Sequence, residues 1–246
     1  MSDGAMRIHR ALARAGIASR RKAEELVAAG RVRVNGAVAK TGQSVDPAVD
    51  VITVDGEAVA RPRGITWLVL HKPAGVLTSR PDGSDRRTVF DLVPDVPGLT
   101  YVGRLDYLTE GVLLLTTDGE AAHRLTHPSS EIERTYVAWV RGDVPTAVRF
   151  MRSGVELDDG FVRPVSVNAA QGDDRMWQVE ITIREGRNRE VRRLCEAVDL
   201  EVRRLVRTQF GPVKLASLPP GASRPLTAKE LDVIASLGIN PDADAG

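Results

Sequence analysis

The sequence has few features that would allow cross-linking, cysteine-based metal binding or membrane insertion. A single cysteine, Cys195, excludes an internal disulfide and a metal site built from several cysteines. No apolar run reaches the length that spans a bilayer, and the first residues lack the basic and apolar segments of a secretory signal. Aromatic residues are only 4% of the 246 residues. We expect a cytoplasmic protein without membrane association, in which Cys195 lies in the core.

Neither sign of charge dominates the whole chain, because 34 basic residues are balanced by 33 acidic ones and the formal net charge is only +1. The distribution is uneven, however. The segment from Arg7 to Lys40 holds nine basic and two acidic residues, a local net charge of +7. Such a cluster is either a solvated basic face or a surface that binds a phosphate backbone, and charge alone does not separate the two.

Two short helices and two strand pairs are predicted in the first 60 residues. Apolar residues at helical spacing predict a helix that ends at Gly16, and Ser19 is a suitable N-cap for a second helix. Asn-Gly at 35–36 and Asp-Gly at 55–56 are two-residue turn signals between strand-like segments. The pattern predicts a small helix-helix-hairpin domain over residues 6–60, with a linker rich in Pro and Gly at 61–65.

Three segments of this domain, 7–12, 16–24 and 30–36, resemble the RNA-binding domain first described in a ribosomal protein of the small subunit. In that family the basic second helix lies along structured RNA. The resemblance therefore implies that the RNA backbone is contacted by Ser19, Arg20, Arg21 and Lys22.

Strand patterns interrupted by short helices dominate from Thr66 onward. The continuous apolar run at 112–115 predicts a buried strand, and a helix is predicted over 189–198 with one apolar face. The residues of that face are Val191, Leu194, Cys195 and Val198. We expect residues 239–246 to form a frayed tail.

The chemistry concentrates in residues 103–111, Gly-Arg-Leu-Asp-Tyr-Leu-Thr-Glu-Gly, which precede the buried strand. An Asp near a Gly is usually a turn former, but a carboxylate on a loop beside a rigid strand is also well placed for chemistry. The whole string, with Thr-Asp-Gly at 117–119, resembles the catalytic motif of pseudouridine synthases. It is closest to the ribosomal-RNA branch typified by RsuA and RluB.

Further segments match that family in order and spacing. They are 71–76, where His71 stands at a position more usually Asn, 133–136, 184–194, 210–212 and 225–227. The resemblance implies an α+β catalytic domain over 66–238, with a bent, mixed, mainly antiparallel sheet and helices packed outside it. An active-site cleft would cross the middle of the sheet.

The resemblance also implies roles for individual residues. Asp106 would be the nucleophile, and Arg192 would pair with it and keep it ionised. Tyr136 would stack on the target base, and Arg104 would fill the gap left by the flipped nucleotide. The alternatives are a core tyrosine and a surface arginine. The reaction needs no cofactor and no metal.

The expected activity is isomerisation of one uridine in ribosomal RNA. The segment 185–193 resembles the large-subunit branch more than the small-subunit one. The expected partner is ribosomal RNA or a pre-ribosomal particle, bound by a monomer. A catalytically inactive RNA-binding assembly factor and a hydrolase with an Asp nucleophile remain alternatives, which analysis of the RNA products would separate. Whether Asp106 attacks the base or assists at the sugar is left open by the sequence.

Overall fold

The computed structural model describes residues 5–60, 64–172 and 176–237, and this part of the chain forms two compact units. The first unit comprises the chain up to residue 67 with segments 95–100 and 116–119, and the second comprises the remainder. The predicted tail at 239–246 and residues 61–63 of the predicted linker lie outside the described residues. Because the units are not separated by one cut in the chain, the domain limits at 60 and 66 stay a prediction.

The N-terminal part of the first unit contains two helices and six short strands. In chain order these are β1 (Met6–Arg7), α1 (Ile8–Arg14), α2 (Arg20–Ala28), β2 (Val32–Val34), β3 (Ala37–Val38), β4 (Ser44–Val45), β5 (Ile52–Val54) and β6 (Glu57–Ala58). Four strands form an antiparallel sheet in the order β3-β2-β5-β6, and β1 pairs with β4.

Local sequence signals explain this arrangement. The Ser19 hydroxyl accepts a hydrogen bond from the Lys22 backbone amide at 3.3 Å, which confirms the predicted N-cap of α2. At the turn between β2 and β3, Asn35 and Gly36 both have positive φ, 50° and 84°, as a tight hairpin requires. The pairing of β1 with β4 was not predicted, because two-residue strands carry no periodic signal.

The remaining helices and strands follow from residue 67. They are β7 (Trp67–Lys72), β8 (Thr100–Val102), β9 (Thr109–Thr116), α3 (Gly119–Thr126), β10 (Arg134–Arg141), α4 (Val144–Ser153), β11 (Val155–Leu157), β12 (Gly160–Val162), β13 (Ser166–Gln171), β14 (Trp177–Ile183), α5 (Glu190–Glu196), β15 (Glu201–Phe210), β16 (Val213–Lys214), β17 (Ser223–Pro225) and α6 (Ala228–Leu237). Short 3-10 helices occur at Val89–Leu92 and Pro128–Ser130.

Nine of these strands form one mixed sheet, which confirms the predicted α+β class. Its main order is β13-β14-β10-β15-β9-β7-β17, with β8 on β9 and β16 on β15. Strands β15 and β9 are parallel, whereas β10 is antiparallel to both β14 and β15. The sheet therefore places β9, which follows the Asp106 loop, next to β15, and places β10, which carries Tyr136, on the other side of β15.

The core of the second unit confirms most of the predicted burial. Residues 112–115 are fully buried in β9, and Cys195 is buried in α5. The helix is shorter than predicted, since it runs from Glu190 to Glu196. The prediction that Val198 completes its apolar face was wrong, because the chain leaves the helix before that residue and Leu200 is buried instead. No helix in the described ranges is long and apolar enough to cross a membrane.

Candidate active site

Asp106 lies on the loop between β8 and β9, and its side chain lines a cleft of about 1220 Å³. The loop begins at Gly103, whose φ of 67° is a backbone conformation that glycine adopts without steric cost. Leu105 and Thr109 are buried on either side, whereas Asp106 is only half-buried. The loop is thus fixed by its buried residues while the carboxylate remains accessible.

The backbone of this loop is held by side chains from distant parts of the chain. Each carbonyl from residue 105 to 109 accepts a hydrogen bond from one of three side chains, so the position of Asp106 depends on groups outside its own motif. The bonds are Thr78 Oγ1 to Leu105 (2.9 Å), Lys72 Nζ to Asp106 (3.0 Å), Tyr107 (3.2 Å) and Thr109 (2.9 Å), and Arg192 Nη2 to Leu108 (3.2 Å).

Lys72 ends strand β7 and is the largest contributor to this network. Its side chain is fully buried, and the ammonium also donates to the Pro73 carbonyl at 3.1 Å. Burial lowers the pKa of Lys72 to about 8, although the charges of Asp106 and Glu110 raise it, and Arg207 lowers it further. The sequence alone did not single out this role, although a lysine at the end of an apolar strand is an available signal.

His71, the residue before Lys72, contacts a different segment. Its Nδ1 is 2.7 Å from the Leu218 carbonyl oxygen, and the ring is buried. This contact ties β7 to the chain that precedes β17. Its Nε2 is buried without a hydrogen-bond partner among the described residues.

Tyr136 lies in β10 and lines the same cleft as Asp106. Its side chain is 9% exposed, and in the sheet it pairs directly with Ile181 on one side and Arg207 on the other. Directly paired residues of antiparallel strands share one face of a sheet. Tyr136 and Arg207 therefore both face the cleft.

Arg192 also lines the cleft, and its pairing with Asp106 stays a prediction. The guanidinium donates a hydrogen bond to the carbonyl of Leu108, two residues beyond Asp106, and this bond positions its charge. Burial and the nearby Arg189 lower the pKa of Arg192, and the Asp106 charge raises it, so the two groups still interact electrostatically. Its Nε is buried without a partner in the described part of the chain.

Two further arginines form a positively charged floor beside Tyr136. Arg134 and Arg207 are both buried, and their guanidinium carbons lie 5.3 Å and 5.1 Å from the centre of the Phe210 ring. Burial lowers the pKa of Arg134, and the charge of Arg207 lowers it further. The buried carboxyl group of Glu190 has a raised pKa, chiefly because of burial. The sequence did not predict this pair of buried arginines. It shows only that Arg134 and Arg207 each interrupt the apolar residues of a strand, β10 and β15.

The four catalytic-domain residues predicted from the sequence all line this one cleft: Arg104, Asp106, Tyr136 and Arg192. Arg104 is exposed at the loop. The predicted RNA-binding residues lie on or next to α2 in the other unit, where Arg20 and Arg21 are exposed and Lys22 pairs with Glu25 at 2.7 Å. Ser19 is exposed and caps the helix.

Comparison with known proteins decides the family. Residues 66–197, which hold all four cleft residues named above, match the RNA pseudouridylate synthase family. The chain belongs to this family. Residues 6–51 match the S4 domain. The synthase is therefore an isomerase that acts on RNA and carries an N-terminal S4 domain.

Individual relatives cover almost the whole synthase. The chain is 43% identical over 232 residues to an RNA pseudouridine synthase of Aquifex aeolicus (strain VF5), covering 92% of each protein. It is 41% identical over 236 residues to the ribosomal large subunit pseudouridine synthase B of Bacillus subtilis (strain 168), covering 94% of this chain and 96% of that protein. A crystal structure of a pseudouridylate synthase superposes with a TM-score of 0.62 at 27% identity, covering 93% of this chain and 99% of that one.

Proposed function

We propose that this enzyme isomerises one uridine of large-subunit ribosomal RNA to pseudouridine, with Asp106 as the nucleophile. The observation that carries the proposal is the placement of Asp106. Its carboxylate is accessible in the cleft, while the backbone of its loop is held by Lys72, Thr78 and Arg192. A nucleophile needs both accessibility and a fixed position.

The cleft contains groups suited to the rest of the reaction. The base must leave the RNA stack, be held, and be rejoined to the sugar through carbon. Tyr136 supplies an aromatic surface for the base, and Arg104 is exposed at the loop, where it can occupy the place of the flipped nucleotide. Arg192 lines the same cleft, and its positive charge interacts with the charge of Asp106.

The target subunit is inferred from relationship. The Bacillus subtilis relative is named for the large ribosomal subunit and aligns over nearly the full length of both chains. The segment 185–193 resembles the same branch. An inactive assembly factor would not require a carboxylate held in this way.

Mapping of pseudouridines in cells tests both parts of the proposal. Deletion of the gene should remove one pseudouridine from large-subunit RNA, and the intact gene should restore it.

The Asp106→Asn variant tests the nucleophile and should not restore the pseudouridine. The affinity of this variant for RNA should stay within about tenfold of the wild type, because the carboxylate acts in chemistry and not in docking. Asp158→Asn, an exposed acidic residue in the turn between β11 and β12, is the matched control and should restore the modification. Loss of a pseudouridine from small-subunit RNA would contradict the target, and modification by Asp106→Asn would contradict the nucleophile.

The N-terminal unit should supply affinity through phosphate contacts. Arg20→Gln combined with Arg21→Gln should reduce the slope of log affinity against log salt by about two, roughly one per lost phosphate contact. Arg149→Gln combined with Arg203→Gln removes the same charge from two exposed positions outside the cleft and should leave the slope unchanged. Equal slopes for both double variants would show that α2 does not contact the RNA backbone.

A further inference from the structure

Arg207 is a buried charge that the fold leaves incompletely satisfied. The residue is 2% exposed, and its Nε donates to the Val112 carbonyl at 2.7 Å. Its Nη2 is buried but has no hydrogen-bond partner among the described residues. A buried donor without an acceptor is costly, and such groups are rare unless they serve a function.

The surroundings of Arg207 are those of the reaction centre. In the sheet it pairs with Tyr136 on β10 and with Gly111 on β9, the strand that follows the Asp106 loop. Its charge also lowers the pKa of Lys72, which holds the Asp106 carbonyl. The charge therefore lies between the strand of the stacking residue and the strand of the nucleophile loop.

No carboxylate in the described ranges forms an ion pair with Arg207. A second cation, Arg134, interacts with the charge of Arg207 and contacts the same Phe210 ring. This part of the cleft floor is therefore positively charged, and a negative charge that forms above it would be stabilised.

The reaction produces such a charge by every route that Asp106 can start. The C1′–N1 bond breaks and its electron pair stays on the uracil ring. A C5–C1′ bond then forms, the C5 proton leaves and N1 takes up a proton, so the product is an isomer of the substrate. If Asp106 adds to the ring instead of the sugar, the electron pair displaced by the addition again resides on the ring and its carbonyl oxygens.

We propose that the guanidinium of Arg207, whose residue pairs with Tyr136 in the sheet, stabilises the negative charge that develops on the uracil base. This inference rests on the proposed function. It assigns Arg207 to the step in which the electron pair of the C1′–N1 bond moves onto the base. A fixed cation in a site with little water is effective for this purpose because it needs no reorganisation during the reaction.

The sharpest test removes the charge and keeps the shape. Citrulline in place of Arg207 retains the Nε donor to Val112 but is neutral. Cys195 is the only cysteine in the chain, so a synthetic peptide covering residues 195–246 can be ligated at its natural position. The matched control is the same ligation with arginine at 207. The single-turnover rate of the citrulline protein should be lower by about 100-fold or more, which is the loss seen when other enzymes lose one donor that stabilises a developing negative charge. Its affinity for RNA should stay within about threefold of the control.

A second comparison separates charge stabilisation from a structural role. RNA with 5-fluorouridine at the target position forms a more stable base anion, because fluorine withdraws electrons. Arg207→Gln should therefore slow N-glycosidic bond cleavage less on this RNA than on uridine RNA. The loss of rate relative to the wild type should be smaller by a factor of at least about ten. Arg207→Lys, which keeps the charge, should stay within about tenfold of the wild type on both. Arg203→Gln, on the same strand but exposed, should behave as the wild type.

The outcomes distinguish this inference from the proposed function. Wild-type protein that forms no pseudouridine overturns the proposed function. If the wild type is active and the folded citrulline protein has a similar single-turnover rate, only the role of Arg207 is overturned. Equal losses on uridine and 5-fluorouridine RNA would also overturn it and would leave Arg207 as a structural residue of the sheet. If Arg207→Gln does not fold, the citrulline protein is used for the same comparison of the two RNAs.

Discussion

The Lys72 ammonium donates a hydrogen bond of 3.0 Å to the backbone carbonyl of Asp106, and the same group contacts the carbonyls of Tyr107 and Thr109. A buried cation thus joins the end of β7 to the loop that carries the proposed nucleophile. The loop is positioned by this cation and does not depend only on its own sequence.

Lys72→Met should lower both stability and turnover. The variant leaves buried carbonyl groups without their donor, which should reduce the free energy of unfolding by about 2–3 kcal/mol. The single-turnover rate should fall further than the RNA affinity, because the Asp106 loop loses its anchor. Urea unfolding and RNA-binding assays measure the two effects. Lys214→Met, at an exposed position of β16, is the control. Wild-type stability and turnover in Lys72→Met would show that the ammonium does not hold the loop.

Lys72 should also give the protein a specific dependence on pH. Its pKa in the folded protein is about 8, against an ordinary value of 10.5, because the group is buried. Between these values the unfolded chain binds more protons, so the contribution of Lys72 to stability increases as the pH rises through this window and is lost as the pH falls through about 8. The difference in unfolding free energy between the wild type and Lys72→Met should therefore increase from pH 8 to pH 10, by at most about 1.4 kcal/mol per pH unit. Parallel curves would contradict the lowered pKa.

Gly111→Ala should prevent β9 from pairing normally with β15. Gly111 has a φ of 111°, and a β-carbon there would lie 2.1 Å from the Arg207 carbonyl oxygen. We expect a loss of about 3 kcal/mol or more in stability, or failure to fold, because both backbone strain and overlap oppose the change. Gly119→Ala, where nothing lies within 4 Å of the added carbon, should be nearly neutral. Thermal and urea unfolding of the two variants would measure the difference, and similar curves would contradict the expected overlap.

Tyr136→Phe and Tyr136→Ala should separate stacking from proton transfer. A stacked ring contributes about 1–3 kcal/mol per base, and Phe retains the ring. If stacking is the whole role, Phe should keep much more single-turnover activity than Ala. If the hydroxyl also transfers a proton, both variants should lose turnover to a similar extent. Tyr101→Phe, outside the cleft lining, is the control. Near-normal activity of both variants would remove Tyr136 from the site.

Arg192 should act on the Asp106 loop more than on RNA affinity. Arg192→Met removes the donor to the Leu108 carbonyl and a positive charge that interacts with Asp106. The single-turnover rate should therefore fall further than the affinity for RNA. Arg192→Lys should recover part of the activity, because it keeps the charge but not the planar group. Arg149→Met, at an exposed position, is the control. A single-turnover rate of Arg192→Met equal to that of the wild type would show that Arg192 does not act on the Asp106 loop.

Features that depend only on neighbouring residues can be predicted from the amino-acid sequence. Ser19 caps α2 because its hydroxyl needs only the amide three residues later, and the run at 112–115 is a buried strand because all its side chains are apolar. The motif around Asp106 is equally local, because it is one short run of residues. The prediction that α5 extends to Val198 is wrong, because a turn closes the helix after Glu196: Asp199 has a positive φ of 58°, and the Leu200 amide donates to the Cys195 carbonyl.

The groups that surround Asp106 come from distant parts of the chain and depend on the folded sheet. Lys72 reaches a carbonyl 34 residues away, and Arg207 reaches one 95 residues away, contacts set by strand order and register. The same register places Tyr136 opposite Arg207, and the folded chain also brings the Arg192 guanidinium to the Leu108 carbonyl. A sequence gives the type of each charged residue, but the partner of a buried charge depends on which backbone groups the folded sheet brings within hydrogen-bond distance.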